Sequence, residues 1–223
     1  MEEATREGTG GREPASGEDA AAFWERRYGE RERIWSGEPN GALVATVTGL
    51  PPGRALDLGC GEGGDALWLA EVGWQVTAVD ITPTAVARAQ AAAAARGVPD
   101  GRIAWVVADL GSWGPPGTYE LVSACFLHSP VEFPRTDVLR RAASTVTPGG
   151  HLLLVGHAGA PPWAEGHGHG DHRFPGPAEE LAGLQLDEAE WETALCEVRA
   201  RPARGPDGAH ATLEDGVVLL RRR

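Results

Sequence analysis

Hydrophobic positions change rhythm at intervals along the chain, and the changes mark out its elements. Phe23, Trp24, Arg27, Tyr28 and Arg31 recur at three- and four-residue spacings behind Asp19, a residue able to cap, which predicts a short amphipathic helix. Trp35 to Asn40 reads as loop. Residues 54–58 form a β-type run stopped by a glycine cluster, and Ala66, Leu67, Leu69 and Ala70 follow in helical rhythm to Gly73. The unit then repeats, with a strand over 75–79, an alanine-rich helix over 83–96 closed by Gly97, and a strand over 103–107. A fourth strand is predicted over 119–126, then a helix over 135–146 halted by Thr147, Pro148, Gly149 and Gly150, and a fifth strand over 151–155. Residues 156–177, rich in Gly, Pro and His, read as a long loop, while 191–199 and 217–220 look like an antiparallel pair joined through a Gly/Pro turn region.

Alternating β and α units require a parallel sheet covered by helices on both faces. The expected class is therefore α/β: a Rossmann-like, seven-stranded, mostly parallel sheet with a C-terminal antiparallel strand pair. Residues 1–18 carry nothing to bury and are expected to be a disordered tail, because such a segment cannot offset its ordering entropy. Residues 19–223 are expected to form one domain, with 19–50 as an N-terminal segment and 157–178 as the Gly/Pro/His-rich loop.

Composition narrows the chemistry. The formal net charge is −12, a field that repels phosphate backbones and anionic lipid, so neither nucleic acid nor a membrane surface is an expected partner. All 20 basic residues are Arg, which removes the lysine needed for a Schiff base or a Walker-type phosphate loop. Cys60, Cys125 and Cys196 are odd in number without CxxC spacing, arguing against a disulfide framework or a zinc ribbon. No secretory signal and no apolar run of about 20 residues is present, so a soluble cytoplasmic protein, monomer or homodimer, is expected.

The chemistry-bearing motif lies between the first strand and its helix. In DLGCGEGG, Gly59, Gly61 and Gly64 satisfy GxGxxG where backbone must approach a ligand closely, and Asp80 ends the second strand, from which a carboxylate can accept both hydroxyls of an adenosine ribose. That geometry serves NAD and S-adenosylmethionine alike. The string ALDLGCGEGGDALWLAEVGWQVTAVDIT resembles motif I and the following ribose acid of class I S-adenosylmethionine-dependent methyltransferases, with Asp57 as the acid before the glycine turn. Upstream, FWERRYGERERIWSGEPNGALV is similar to the opening segment of the thiopurine and tellurite-resistance methyltransferases and their small bacterial relatives.

The resemblance implies strand order 3-2-1-4-5-7-6 and S-adenosylmethionine as cofactor. By position, Gly59, Cys60 and Gly61 would line its methionine part, Asp80 with Ile81 its ribose, and Asp109 its adenine amino group, with Leu110 or Trp113 flanking the ring. Residues 19–50 become a lid, bringing Trp35 and Asn40 near the cofactor and Trp24 and Tyr28 towards the substrate; the latter two could equally dock the helix. A sulfonium beside aromatic faces gains about 0.5–2 kcal/mol. A small-molecule acceptor with a sulfur, selenium or tellurium nucleophile is what the resemblance suggests.

His128 follows the fourth strand at the ligand-binding edge of the sheet and is the best-placed catalytic base, with a free pKa of about 6.5. His157, His167, His169, Asp171 and His172 crowd the long loop, whose HxHxDH string superficially resembles a metallo-β-lactamase motif in the wrong strand and helix order. The loop is read as a cap over the acceptor pocket, with His157 as a substrate contact and no metal ligand assigned. Two rival readings stay open: an NAD-dependent oxidoreductase, and a non-enzymatic metal or metalloid binder using the histidine loop.

Overall fold

The computed structural model describes residues 18–160, 174–205 and 208–223. Its elements are α1 (Ala20–Gly29), α2 (Gly41–Val47), β1 (Arg54–Leu58), α3 (Gly64–Glu71), β2 (Gln75–Asp80), α4 (Pro83–Ala95), β3 (Ile103–Val107), β4 (Tyr119–Cys125), α5 (Arg135–Ala143), β5 (Val146–His157), α6 (Pro177–Leu184), β6 (Trp191–Arg204) and β7 (His210–Arg222). The strands form one sheet in the order β3-β2-β1-β4-β5-β7-β6. β1 to β5 pair in parallel, and β7 runs antiparallel to both β5 and β6.

Residue alternation divides the core into two layers. Leu152 and Leu154 of β5 face a layer with Val138 and Leu139 of α5, whereas Leu153 and Val155 face the other with Leu67 and Leu69 of α3. β1 is buried from Ala55 to Leu58, as a central parallel strand covered on both faces must be. Strand order reverses between β1 and β4, and that switch point opens a crevice at the carboxyl ends of the strands.

Several boundaries differ from the expectation. β5 begins at Val146 and runs through Thr147–Gly150, because a register irregularity opposite Tyr119 to Leu121 absorbs the Gly/Pro kink that read as a helix stop; α5 ends earlier, at Ala143. β6 and β7 are far longer than expected, and Pro202 is tolerated because β6 is the sheet edge. α2 and α6 were not foreseen: α2 has only seven residues, and α6 lies in the stretch around the Gly/Pro/His-rich loop. That loop is also shortened at its start, since Gly156 and His157 belong to β5. The tail to Gly17 and the loop residues 161–173, with His167, His169, Asp171 and His172, lie outside the described residues. Among those described, no helix is long and apolar enough to cross a membrane, and no group of three or more His, Cys, Asp and Glu side chains could hold a metal ion.

Candidate cofactor and acceptor site

The glycine turn reaches its shape through backbone that other residues resist. Gly59, Gly61 and Gly63 all have positive φ, at 72°, 51° and 87°. Gly64, the third glycine of GxGxxG, serves differently: a Cβ there would lie 2.6 Å from the carbonyl oxygen of Glu38, so its bare backbone lets the N-terminal segment press against the turn. The turn is pinned to the sheet by the Gly59 and Cys60 N–H groups, which both donate to the Val79 carbonyl at 2.8 and 2.9 Å.

Asp80 stands at the end of β2, next to this turn. Its Oδ2 accepts the Gly61 N–H at 2.9 Å, and its Oδ1 accepts the Thr82 N–H at 2.9 Å and the Thr82 hydroxyl at 2.6 Å. A carboxylate offers about four lone-pair directions. Three of them are taken here, so one direction stays open. Half-buried Ile81 follows it. Asp109 accepts the Gly111 N–H at 2.7 Å, and its carbonyl caps Ser112 and Trp113, so it shapes the turn after β3. Leu110 is buried in the core layer with Val138 and Ala142, with Trp113 packed against it.

Asp57 is 2% exposed; its Oδ1 accepts the Ser123 hydroxyl at 3.2 Å, and its Oδ2 is buried without a hydrogen-bond partner. Burial pushes this carboxyl well above the usual range, with the charge of Asp65 adding to it. Burial likewise pushes the Cys60 thiol up, followed by the charges of Asp80 and Asp57, so Cys60 packs the turn as an unreactive thiol.

The N-terminal segment packs over the turn through residues the sequence did not disclose. Glu62, 4% exposed at its side chain, accepts the N–H groups of Ile34 at 3.2 Å and Trp35 at 3.0 Å and pairs with Arg88 at 2.9 Å. The other arm of Arg88 donates to the carbonyls of Tyr28 at 2.9 Å and Arg31 at 2.7 Å. Arg88 is the one charged residue in α4, which was a readable signal; Glu62 had only its place inside the glycine turn. Tyr28 is buried and accepts from the Trp35 indole at 2.9 Å. Both groups would lie 3.0–3.3 Å from a Cβ on Gly61, so they roof the turn. Trp24 donates to the Ser129 hydroxyl at 3.3 Å, carrying α1 across to the loop after β4. Asn40 has its side chain committed elsewhere, capping α2 through the N–H groups of Ala42 and Leu43.

Aromatic and imidazole rings gather around the ends of β4 and β5. Phe126 adopts a left-handed φ of 52°, uncommon for such a residue, and its ring centroid lies 4.6 Å from that of His157. His128 and His157 are stacked at 6.2 Å, and Phe174 meets both edge-on. Asp215 of β7 faces the His157 Nδ1 at 3.9 Å and pairs with Arg201 at 2.6 Å. His128 is pushed down to about 4 by burial, with the charges of Arg135 and His157 adding to it. A value that low keeps the imidazole neutral at pH 7 and makes it a weaker base than a free histidine.

The sign of that shift sets a measurable consequence. A histidine whose folded value lies below its unfolded value of about 6.5 binds its proton more readily when unfolded. The stability linked to its neutral form is complete above pH 6.5 and is lost as pH falls towards 4. His128→Gln is expected to flatten the stability curve across that window by about 2–4 kcal/mol, read from denaturant titrations at several pH values. A slope matching wild type would mean that His128 titrates normally.

Comparison with known proteins agrees with this geometry. Residues 55–150 match the family model described as a methyltransferase domain. The 2-heptyl-1-hydroxyquinolin-4(1H)-one methyltransferase of Mycobacteroides abscessus is 32% identical over 139 residues, 59% of this chain and 60% of that protein. The chain spans less than two thirds of the length of the curated relatives it matches. Among solved structures, one from work on the conversion of a disulfide bond into a thioacetal group during echinomycin biosynthesis shares 26% identity, with a TM-score of 0.61 and 83% of each chain covered. The N-methyltransferase NodS from Bradyrhizobium japonicum WM9, solved with S-adenosyl-L-homocysteine, shares the fold at 15% identity and a TM-score of 0.64, covering 92% of this chain and 99% of that one. Sheet order and glycine turn agree with the methyltransferase-domain match over residues 55–150.

Proposed function

We propose that the whole chain is an S-adenosylmethionine-dependent methyltransferase acting on a small molecule, with a soft nucleophile of sulfur, selenium or tellurium as the acceptor atom. The observation that carries the reading is the turn of β1 into α3, locked by the Gly61 N–H on Asp80 at the strand-order switch point. The residues suit the cofactor: Asp57 presents a buried, unpartnered carboxylate oxygen, and the bare Cα of Gly61 faces the Tyr28 and Trp35 roof. The soft-nucleophile reading draws on the resemblance of the opening segment, and on the rings of Phe126, His157 and Phe174 gathered beside His128, polarizable surfaces that suit a polarizable acceptor. The sulfur chemistry named for the echinomycin structure accords with it.

Bound S-adenosylmethionine supplies a methyl group activated by its sulfonium. The chain supplies alignment and dryness. Gly59, Cys60 and Gly61 cradle the methionine part, Asp80 and Ile81 hold the ribose, and Asp109 and Leu110 border the adenine, while Trp35 and Tyr28 shut the roof against water. His128, with His157 beside it, orients the acceptor, and Trp24 ties the lid to the same loop through Ser129. The NAD reading is disfavoured by the antiparallel β5-β7-β6 edge and by the family match.

The test is calorimetric titration with S-adenosylmethionine, S-adenosylhomocysteine and NAD. Wild type is expected to bind the first two and not the third, and Asp80→Ala to weaken binding about a hundredfold, since hydrogen bonds to a charged group contribute about 1.5–3 kcal/mol each. Binding of NAD alone would overturn the reading.

A further inference from the structure

β6 is one rim of the sheet: among the described residues it pairs with β7 alone, and its other side meets no strand. Such an edge templates pairing with another strand unless it is short, interrupted or guarded by repelling charge. At 14 residues β6 is not short. Its two interruptions lie towards its ends, the register irregularity between Thr193 and Leu195 and the proline at 202. Between them, residues 195–201 run in unbroken register opposite 219–213 of β7. The centre of that stretch is Val198, which is 49% exposed.

Alternation gives the stretch two different faces. Cys196, Val198 and Ala200 share one, all exposed and none charged. Glu197 and Arg199 share the other, set symmetrically on either side of Val198; they pair at 2.5 Å along the strand and both remain partly open to solvent. The strand also departs from the charge of the whole chain. It holds Glu192 and Glu197 against Arg199, Arg201 and Arg204, so basic residues outnumber acids here although the net charge is −12. Two copies meeting along β6 thus avoid the repulsion that their overall charge imposes elsewhere.

We propose that β6 is a self-recognition surface: two copies of the chain pair antiparallel through residues 195–201, about a two-fold axis at Val198, and join their sheets into one. In that register each Glu197 lies opposite Arg199 of the second copy, so carboxylates and guanidinium groups alternate around the axis. On the other face Val198 meets Val198 and Cys196 meets Ala200, an uncharged strip. The same charges reject the neighbouring registers. An axis at Glu197 sets carboxylate against carboxylate, and one at Arg199 sets guanidinium against guanidinium, both destabilising. An isologous contact of this kind closes on itself and stops at a dimer. It also fastens a strand that reaches the ring cluster, since Arg201 pairs with Asp215 and lies 5.5 Å over the Phe126 ring.

The experiment is sedimentation equilibrium of the full-length protein over a range of concentrations, as wild type, Glu197→Arg, and Glu197→Arg combined with Arg199→Glu. Wild type is expected to be a dimer. Glu197→Arg opposes like charges twice per dimer and is expected to raise the dissociation constant about tenfold or more, with the charge swap recovering most of the loss. Cross-linking locates the axis. Opposed residues of an antiparallel pair bring their Cβ atoms to about 4.5–5.5 Å, a small shift from disulfide range. In a Cys196→Ser background, Val198→Cys is expected to form an intermolecular disulfide under mild oxidation. Ala200→Cys in the same background is not, because its counterpart lies about 13 Å along the strand. A monomer at every concentration would overturn the proposal. So would a dimer that withstands Glu197→Arg and fails to cross-link through Val198→Cys, or an open-ended series of larger assemblies.

Discussion

Arg88→Met is expected to free the lid while leaving the sheet folded. The substitution keeps the length of the stem but strips Glu62 of its only described cation and cuts the ties to the carbonyls of Tyr28 and Arg31. Removing one partner of a buried ion pair typically costs about 3–5 kcal/mol, because the other charge stays buried and uncompensated. The cost falls where docking is weakest. Residues 20–40 are held by these ties, by the Glu25 contacts to Thr84, the Trp24 bond to Ser129 and the Asn40 bond to Asp65, and by a small cluster of Tyr28, Ile34 and Ala85 with Trp24 packed against it, whereas the sheet holds two large layers. Undocking is thus easier than unfolding. Hydrogen exchange should rise in residues 20–40 and stay slow in β1, β4 and β5, with cofactor affinity down at least about tenfold. Adding Glu62→Gln should recover part of the loss by removing the stranded charge. Unchanged exchange across 20–40 in Arg88→Met would show that the segment is held without the Arg88 ties.

The sheet was legible because β1, β2 and β3 are short apolar runs bounded by glycine or proline, and the residues between them carry helical periodicity. β1 and β3 appear at their expected limits, and β2 ends one residue later at Asp80. The resemblance supplied the strand order, which periodicity could not. Local rules failed where tertiary pairing overrode them: Thr147–Gly150 looks like a stop signal, yet pairing with β4 carries β5 through it. The glycine turn and Asp80 were legible because backbone approach and a carboxylate after β2 leave marks at fixed spacing. Asn40, Glu62, Asp65 and Arg88 were not legible in their actual contacts. Each acts across 25 to 60 residues of chain, and single-sequence spacing contains no record of which distant backbone N–H a carboxylate will meet. The downward shift of His128 was hidden for the same reason, since its burial, and the approach of Arg135 and His157, arise only in the folded sheet.

Gly63→Ala is expected to cost far more than a glycine-to-alanine change elsewhere with a similar backbone angle. At Gly63 φ is 87°, a conformation that costs a non-glycine residue about 1–3 kcal/mol. A Cβ would also lie 2.8 Å from the Cβ of Ala89 on α4 and 3.0 Å from the Trp105 ring on β3. Neither contact can give way at the end of a flexible chain: one partner is a methyl fixed to a helix backbone, the other a rigid indole. Overpacking of this kind adds about 1–3 kcal/mol. The sum, about 2–5 kcal/mol, corresponds to a Tm lower by about 4–20 °C in a domain of this size. Gly97→Ala supplies the control, because φ there is 70° but no atom lies within 4 Å of the new methyl group. Strain is common to both variants, so the difference between their melting temperatures isolates the close approach of the glycine turn to α4 and β3. Equal losses would mean that the turn has room to spare and that backbone strain alone dictates glycine at this position.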